Sequence, residues 1–166
     1  MKPVLFVIDV QKEFFDISPT TTESLNDAIE YINAAIALFR KHGLPIICIQ
    51  DMDEEDGRVP GNKSFDVPDH LNILPSDVHI HKAYGNAFNK TTLANELQSL
   101  GADTIIITGF SAAYCVLSTY RGAEDNDLTP IILRNAIASE VPEHIKFVET
   151  LSDIISYGAL KKLLLP

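Results

Sequence analysis

Val4-Leu5-Phe6-Val7-Ile8 is an unbroken apolar run that ends on an acid, Asp9. Without polar alternation, such a run suits a strand buried on both faces, as found inside a parallel sheet. Pro45-Ile46-Ile47-Cys48-Ile49-Gln50, Thr104-Ile105-Ile106-Ile107-Thr108 and Thr129-Pro130-Ile131-Ile132-Leu133 repeat the pattern, and Asp77 to Lys82 reads as a shorter strand. Helical periods separate them. After Ser18-Pro19, residues Leu25, Ala28, Ile29, Ile32, Ala35, Ile36 and Phe39 fall on one face, and Lys41-His42-Gly43 ends that helix. Thr91 or Thr92 caps a helix carrying Leu93, Leu97 and Leu100, closed by Gly101. A further helix starts near Cys115, and Pro142 opens another with Ile145, Val148, Leu151 and Ile155 on one face. Strand and helix in alternation predict an α/β fold: a three-layer, doubly wound domain with a mainly parallel central sheet flanked by helices. In such sheets ligands sit outside the carboxyl ends of the strands.

Length and charge narrow the function. A chain of 166 residues fits one domain over 1–166, large enough to bury a core without a disulfide or metal staple. No apolar run approaches the ~18 residues of a membrane span, and the N-terminus lacks the long apolar core of a signal peptide, so a cytoplasmic protein is expected. A net charge of −10 argues against nucleic acid as partner, because phosphates would be repelled. Cys48 and Cys115 form no C-x-x-C pair and read as free thiols. Neither G-x-G-x-x-G nor G-x-x-x-x-G-K-[ST] occurs, so no nucleotide cofactor is expected. Residues 51–76 carry acids, glycines and prolines without periodicity, which suggests short elements or a lid.

Three reactive residue types converge on the carboxyl edge of the sheet. Asp9 ends the first strand, Lys82 ends the third, and Cys115 follows the fourth. A cysteine at a helix N-terminus meets the positive end of the dipole and free N–H groups, which favour a thiolate and lower its pKa. The bland alternatives are a buried inert thiol at Cys115, a turn-capping or structurally paired acid at Asp9, and a solvated lysine at Lys82. Cys48, mid-strand between isoleucines, reads as core.

Three separated segments carry a specific resemblance. Asp9-Val10-Gln11-Lys12-Glu13-Phe14, Lys82-Ala83-Tyr84-Gly85-Asn86-Ala87-Phe88 and Gly109 to Val116 match, in order, D-x-Q-x-x-F, K-x-x-x-[SN]-A-F and G-[VF]-x-x-x-x-C-V of the isochorismatase-like cysteine hydrolase superfamily. That superfamily includes nicotinamidases and N-carbamoylsarcosine amidohydrolases. Asn135-Ala136 sits where it usually has Asp-Ala. The resemblance implies Cys115 as nucleophile, Asp9 as acid/base and Lys82 as the third catalytic residue. It also implies a cis peptide between Phe110 and Ser111, an oxyanion hole from the N–H groups of Ser111 and Cys115, and a homo-oligomer. Phe14 matches a pocket aromatic; Gln11, Phe65, Tyr84, Phe88 and Tyr120 join it as expected substrate-binding residues.

The chain departs from the resemblance in two places. Metal-binding nicotinamidases follow the second strand with an Asp and two histidines. Here Asp51-Met52-Asp53-Glu54-Glu55-Asp56-Gly57-Arg58 has no histidine, and His70 is the next one downstream, so no metal is expected and nicotinamide is an unfavoured substrate. Ala112-Ala113 replaces the usual Thr and acid before the cysteine. The expected activity is hydrolysis of a small amide or carbamoyl-type C–N bond through a thioester. Two alternatives stand beside it: a non-catalytic binding member of the same fold, and ether hydrolysis of the isochorismatase type, whose enzymes lack the cysteine.

Overall fold

The computed structural model of the chain describes residues 1–164. Six strands form one sheet: β1 (Pro3–Ile8), β2 (Ile46–Asp51), β3 (Val78–Lys82), β4 (Thr104–Gly109), β5 (Thr129–Ile137) and β6 (Ile154–Ile155). Their spatial order is β3-β2-β1-β4-β5-β6, and every pairing is parallel. The helices are α1 (Pro19–Lys41), α2 (Leu93–Leu100), α3 (Leu117–Asp125), α4 (Pro142–Thr150) and α5 (Tyr157–Leu164). A short 3-10 turn spans Lys12–Asp16, and a π-helical turn over Ala112–Val116 leads into α3.

Side chains of β1 alternate between two cores. Leu5 and Val7 pack with the buried face of α1 and with Leu160 of α5, whereas Val4, Phe6 and Ile8 pack with Leu93, Leu97, Tyr120 and Val148. Helices therefore cover both faces, which is why the strands read as continuous apolar runs. Every residue of the predicted α1 stripe is buried, and Ser18 caps the helix by accepting from the Thr21 N–H. The order of strand addition reverses at the pair β1 and β4, so the switch point lies between Asp9, just past β1, and the turn after β4.

The C-terminal third differs from expectation. The predicted stripe through Leu151 and Ile155 breaks: α4 stops at Thr150, Leu151 is exposed, and Ile154 and Ile155 pair with Ile132 and Leu133 as an edge strand. A two-residue strand carries too little periodicity to be read, and its isoleucines fitted the helical spacing by chance. Leu100, expected on the buried face of α2, is exposed. The helix near Cys115 begins earlier, at Ala112, and β5 runs on to Ile137 past a register shift opposite Ile107 and Gly109. Residues 51–76 fold as turns; within them Asp53 and Arg58 exchange backbone hydrogen bonds, and Phe65 and Leu71 are buried. Among the described residues no helix is long and apolar enough to cross a membrane.

Candidate active site

Asp9 is the first residue after β1, and the chain turns there in a left-handed conformation, φ 51°, that non-glycine residues seldom adopt. Its N–H is still bonded to the Ile49 carbonyl, so the turn is fixed by the sheet itself. Gly109, at the end of β4, has φ 117°, and a Cβ there would collide with the Ile8 backbone. Only glycine lets the two strand ends approach so closely. Lys82 ends β3 with its side chain fully buried.

The three residues meet around one nitrogen. Lys82 Nζ lies 2.8 Å from Asp9 Oδ2, 3.1 Å from Asp51 Oδ1 and 3.4 Å from Cys115 Sγ. Cys115 is partly exposed, whereas Asp9 and Lys82 are buried. Neither Asp9 oxygen takes part in an aligned hydrogen bond, although Lys82 is in contact. Asp9 Oδ2 is paired with the Lys82 ammonium, and Oδ1 is buried without a hydrogen-bond partner.

Burial pushes the Asp9 carboxyl up to about 6, against the pull of the Lys82 charge. Burial works against the Lys82 ammonium, but the negative partners Asp9, Cys115 and Asp51 outweigh it and hold its pKa above the ordinary value. Burial and then the Asp9 charge push the Cys115 thiol up to about 12, with Lys82 opposing. At neutral pH the resting cluster is thus carboxylate, ammonium and neutral thiol. The expectation of a lowered thiol pKa from the helix N-terminus is corrected here: desolvation, and then the adjacent Asp9 carboxylate, raise it. Cys48 is fully buried, and burial pushes its thiol up to about 12 as well.

The turn before Cys115 offers backbone donors. The Phe110–Ser111 peptide is cis. The N–H groups of Ala112, Tyr114 and Val116 are bonded to the carbonyls of Ala138 and Ser111, and those bonds leave out the Ser111 N–H. The Ser111 hydroxyl is buried without a partner.

The remaining sequence candidates divide. Phe14 stacks on Phe110 with ring centroids 5.1 Å apart, beside the cysteine turn. Tyr84, exposed two residues past Lys82, receives a hydrogen bond from Lys90 Nζ. The Gln11 amide grips the backbone N–H and carbonyl of Asp51 and the carbonyl of Phe65. Phe65 is buried against His81, Phe88 packs on Phe6, and the Tyr120 hydroxyl is taken by the Asp153 N–H ahead of β6.

Sequence reasoning missed Arg58. Its side chain is buried, with Nη2 2.9 Å from Asp51 Oδ2 and Nη1 2.8 Å from Glu13 Oε2, and its guanidinium lies over the Phe14 ring. In the sequence it follows the acidic run Asp51 to Asp56, and only that contrast could have flagged it. The residues around Asp51 do not suit a metal ion. Both its oxygens are engaged by cations, and His70 is bound to the Asn26 side chain.

The isochorismatase domain model matches residues 3–150. The chain belongs to the isochorismatase family of hydrolases. Within the family it is similar to the uncharacterized protein YrdC of Bacillus subtilis, 26% identical over 83% of this chain and 74% of that one. It is 42% identical to N-carbamoylsarcosine amidase of Arthrobacter sp, over 42% of this chain and 27% of that protein. An isochorismatase-like hydrolase from Alkaliphilus metalliredigens shares the fold, with a TM-score of 0.89 at 20% identity over 99% of this chain and 100% of that one.

Proposed function

We propose that the protein hydrolyses a small amide or carbamoyl-type C–N bond, with Cys115 as nucleophile, Asp9 as general base and acid, and Lys82 as the cation shared between them. The single ammonium in contact with both Asp9 and Cys115 carries the proposal, and the stretch similar to N-carbamoylsarcosine amidase supports the bond type. Asp9 takes the thiol proton as the sulfur attacks the carbonyl carbon. The oxyanion is held by the N–H groups of Ser111 and Cys115, each of a kind worth about 3–4 kcal/mol where such donors have been removed. Collapse of the tetrahedral adduct breaks the C–N bond, and the departing nitrogen takes the proton from Asp9. Asp9 then deprotonates a water, which attacks the thioester; the acid leaves and the proton returns to Cys115 sulfur. In this reading Phe14, which packs on Phe110 ahead of the cysteine turn, and the exposed Tyr84 contact the substrate.

The test is a panel of primary amides, ureido acids and carbamoyl amines assayed for ammonia or amine release, with intact-mass detection of an acyl adduct on rapid acid quench. Turnover that disappears in Cys115→Ser, with the adduct confined to Cys115, supports the proposal. Turnover that survives Cys115→Ser ends it. A panel without turnover or adduct, while ligands still raise the melting temperature, moves the binding-scaffold alternative to the front.

A further inference from the structure

We infer that Arg58 is a positioning residue for the Cys115, Asp9 and Lys82 cluster and that it acts through Asp51. The inference rests on the proposed roles of those three residues. Arg58 comes from the turn segment after β2, yet its exposure is only 9%. Its Nε and Nη2 lie 3.2 and 2.9 Å from Asp51 Oδ2, its Nη1 bonds Glu13 Oε2 at 2.8 Å, and its guanidinium carbon sits 5.2 Å above the Phe14 ring. Asp51 turns its other oxygen to Lys82 Nζ at 3.1 Å. Gln11 holds the Asp51 backbone from both sides. Asp51 is therefore pinned in one orientation, with one oxygen for each cation.

The charges explain why a guanidinium is needed. Lys82 has two carboxylates and a sulfur around one ammonium, so Asp51 competes with Asp9 and with a nascent Cys115 thiolate for the same positive charge. Arg58 draws charge away from Asp51 and leaves the ammonium to the reacting pair. A planar fork holds Asp51 and Glu13 at once while stacking on Phe14, which a lysine ammonium cannot do. Without Arg58 the released Asp51 carboxylate pulls Lys82 toward itself, and the thiolate loses its counter-ion.

A double-mutant cycle on Cys115 labelling by iodoacetamide at pH 8 tests this, with labelled sites mapped and melting temperatures recorded. Arg58→Gln is expected to slow Cys115 labelling about tenfold, and to change it less than twofold when Asp51 is already Asn. Arg58→Lys, which keeps a cation beside Asp51, is expected to lose less. Cys48 stays unlabelled in every folded variant. An equal slowing in both backgrounds, or Arg58→Gln within twofold of wild type, overturns the inference. If Arg58→Gln does not fold, Arg58→Lys takes its place in the cycle, and an equal loss in both backgrounds is again refuting. Lys82→Met separates the two levels. If it fails to slow labelling, the cluster assignment itself falls; if it slows labelling and the cycle is additive, only the role of Arg58 falls.

Discussion

Replacing Asp9 by Asn separates thiol ionisation from hydrolysis, in opposite directions. The Cys115 thiol is pushed up to about 12 by burial and by the Asp9 charge. Both groups touch one ammonium nitrogen, at 2.8 and 3.4 Å, which places them within roughly 6 Å of each other. Two unit charges about 5 Å apart at an effective dielectric near 20 repel by about 3 kcal/mol, equivalent to roughly two pH units. Asn carries no charge and leaves Lys82 to the sulfur, so the midpoint of Cys115 ionisation should fall by about two pH units. Thiolate absorbance near 240 nm against pH, taken as the difference from a Cys115→Ser background, measures it. The same variant has lost the proton acceptor, and amide turnover should fall by at least about a hundredfold. A more easily ionised thiol in a nearly inactive protein is the expected signature. A midpoint that stays or rises, or turnover that persists, would refute the assignment of Asp9 as the base facing Cys115.

Activity should also fall as the pH drops through about 6, where Asp9 becomes protonated and cannot accept the thiol proton; an acid limb of kcat/KM that stays near 4 contradicts this. The same group shapes stability. Its folded pKa lies above the unfolded value near 3.8, so it favours folding below pH 4, and that contribution is lost as the pH rises through 6, on the order of 2–3 kcal/mol. Urea unfolding should therefore show wild type gaining on Asp9→Asn between pH 7.5 and 5; a constant difference argues otherwise. Gly109→Ala would set a Cβ against the Ile8 backbone in a conformation with φ 117°. It should cost more than about 3 kcal/mol or prevent folding, which soluble yield and melting temperature report.

The sheet was legible because β1, β2, β4 and β5 are buried on both faces and so carry apolar runs that nothing else explains. The cluster was legible because Asp9 and Lys82 stand where strands end and Cys115 lies in the turn that follows β4. Order and connections came less easily: Ile154 and Ile155 form a strand too short for a period, and α5, although amphipathic, lies beyond the matched motifs. Gln11 and Tyr120 were read as ligand contacts from residue type, but their polar atoms are taken by backbone groups far away in sequence. Arg58 was invisible for the same reason, since its partners Glu13 and Asp51 lie 45 and 7 residues away on different elements. The ionisation of Cys115 was misjudged because a helix N-terminus is visible in sequence and the depth of a neighbouring carboxylate is not.

A thiol held near 12 is compatible with nucleophilic catalysis because the proton moves inside the cluster. Ionising Cys115 to solvent would put a second negative charge beside Asp9, and the high pKa measures that step. Passing the proton to Asp9 leaves the total charge around Lys82 unchanged. With Asp9 neutral, the repulsion that helps to hold the thiol up is gone, and its pKa falls. Asp9 itself accepts a proton at about 6, because burial has already raised it. Transfer within the cluster is therefore less uphill than ionisation of the thiol to solvent. Desolvation of Asp9 thus raises the acceptor toward the donor, and the cost appears as the stability lost above pH 6. An Asp9 with an ordinary pKa near 4 would add about 3 kcal/mol to the transfer. On this account the burial that destabilises the carboxylate is what makes the thiol usable.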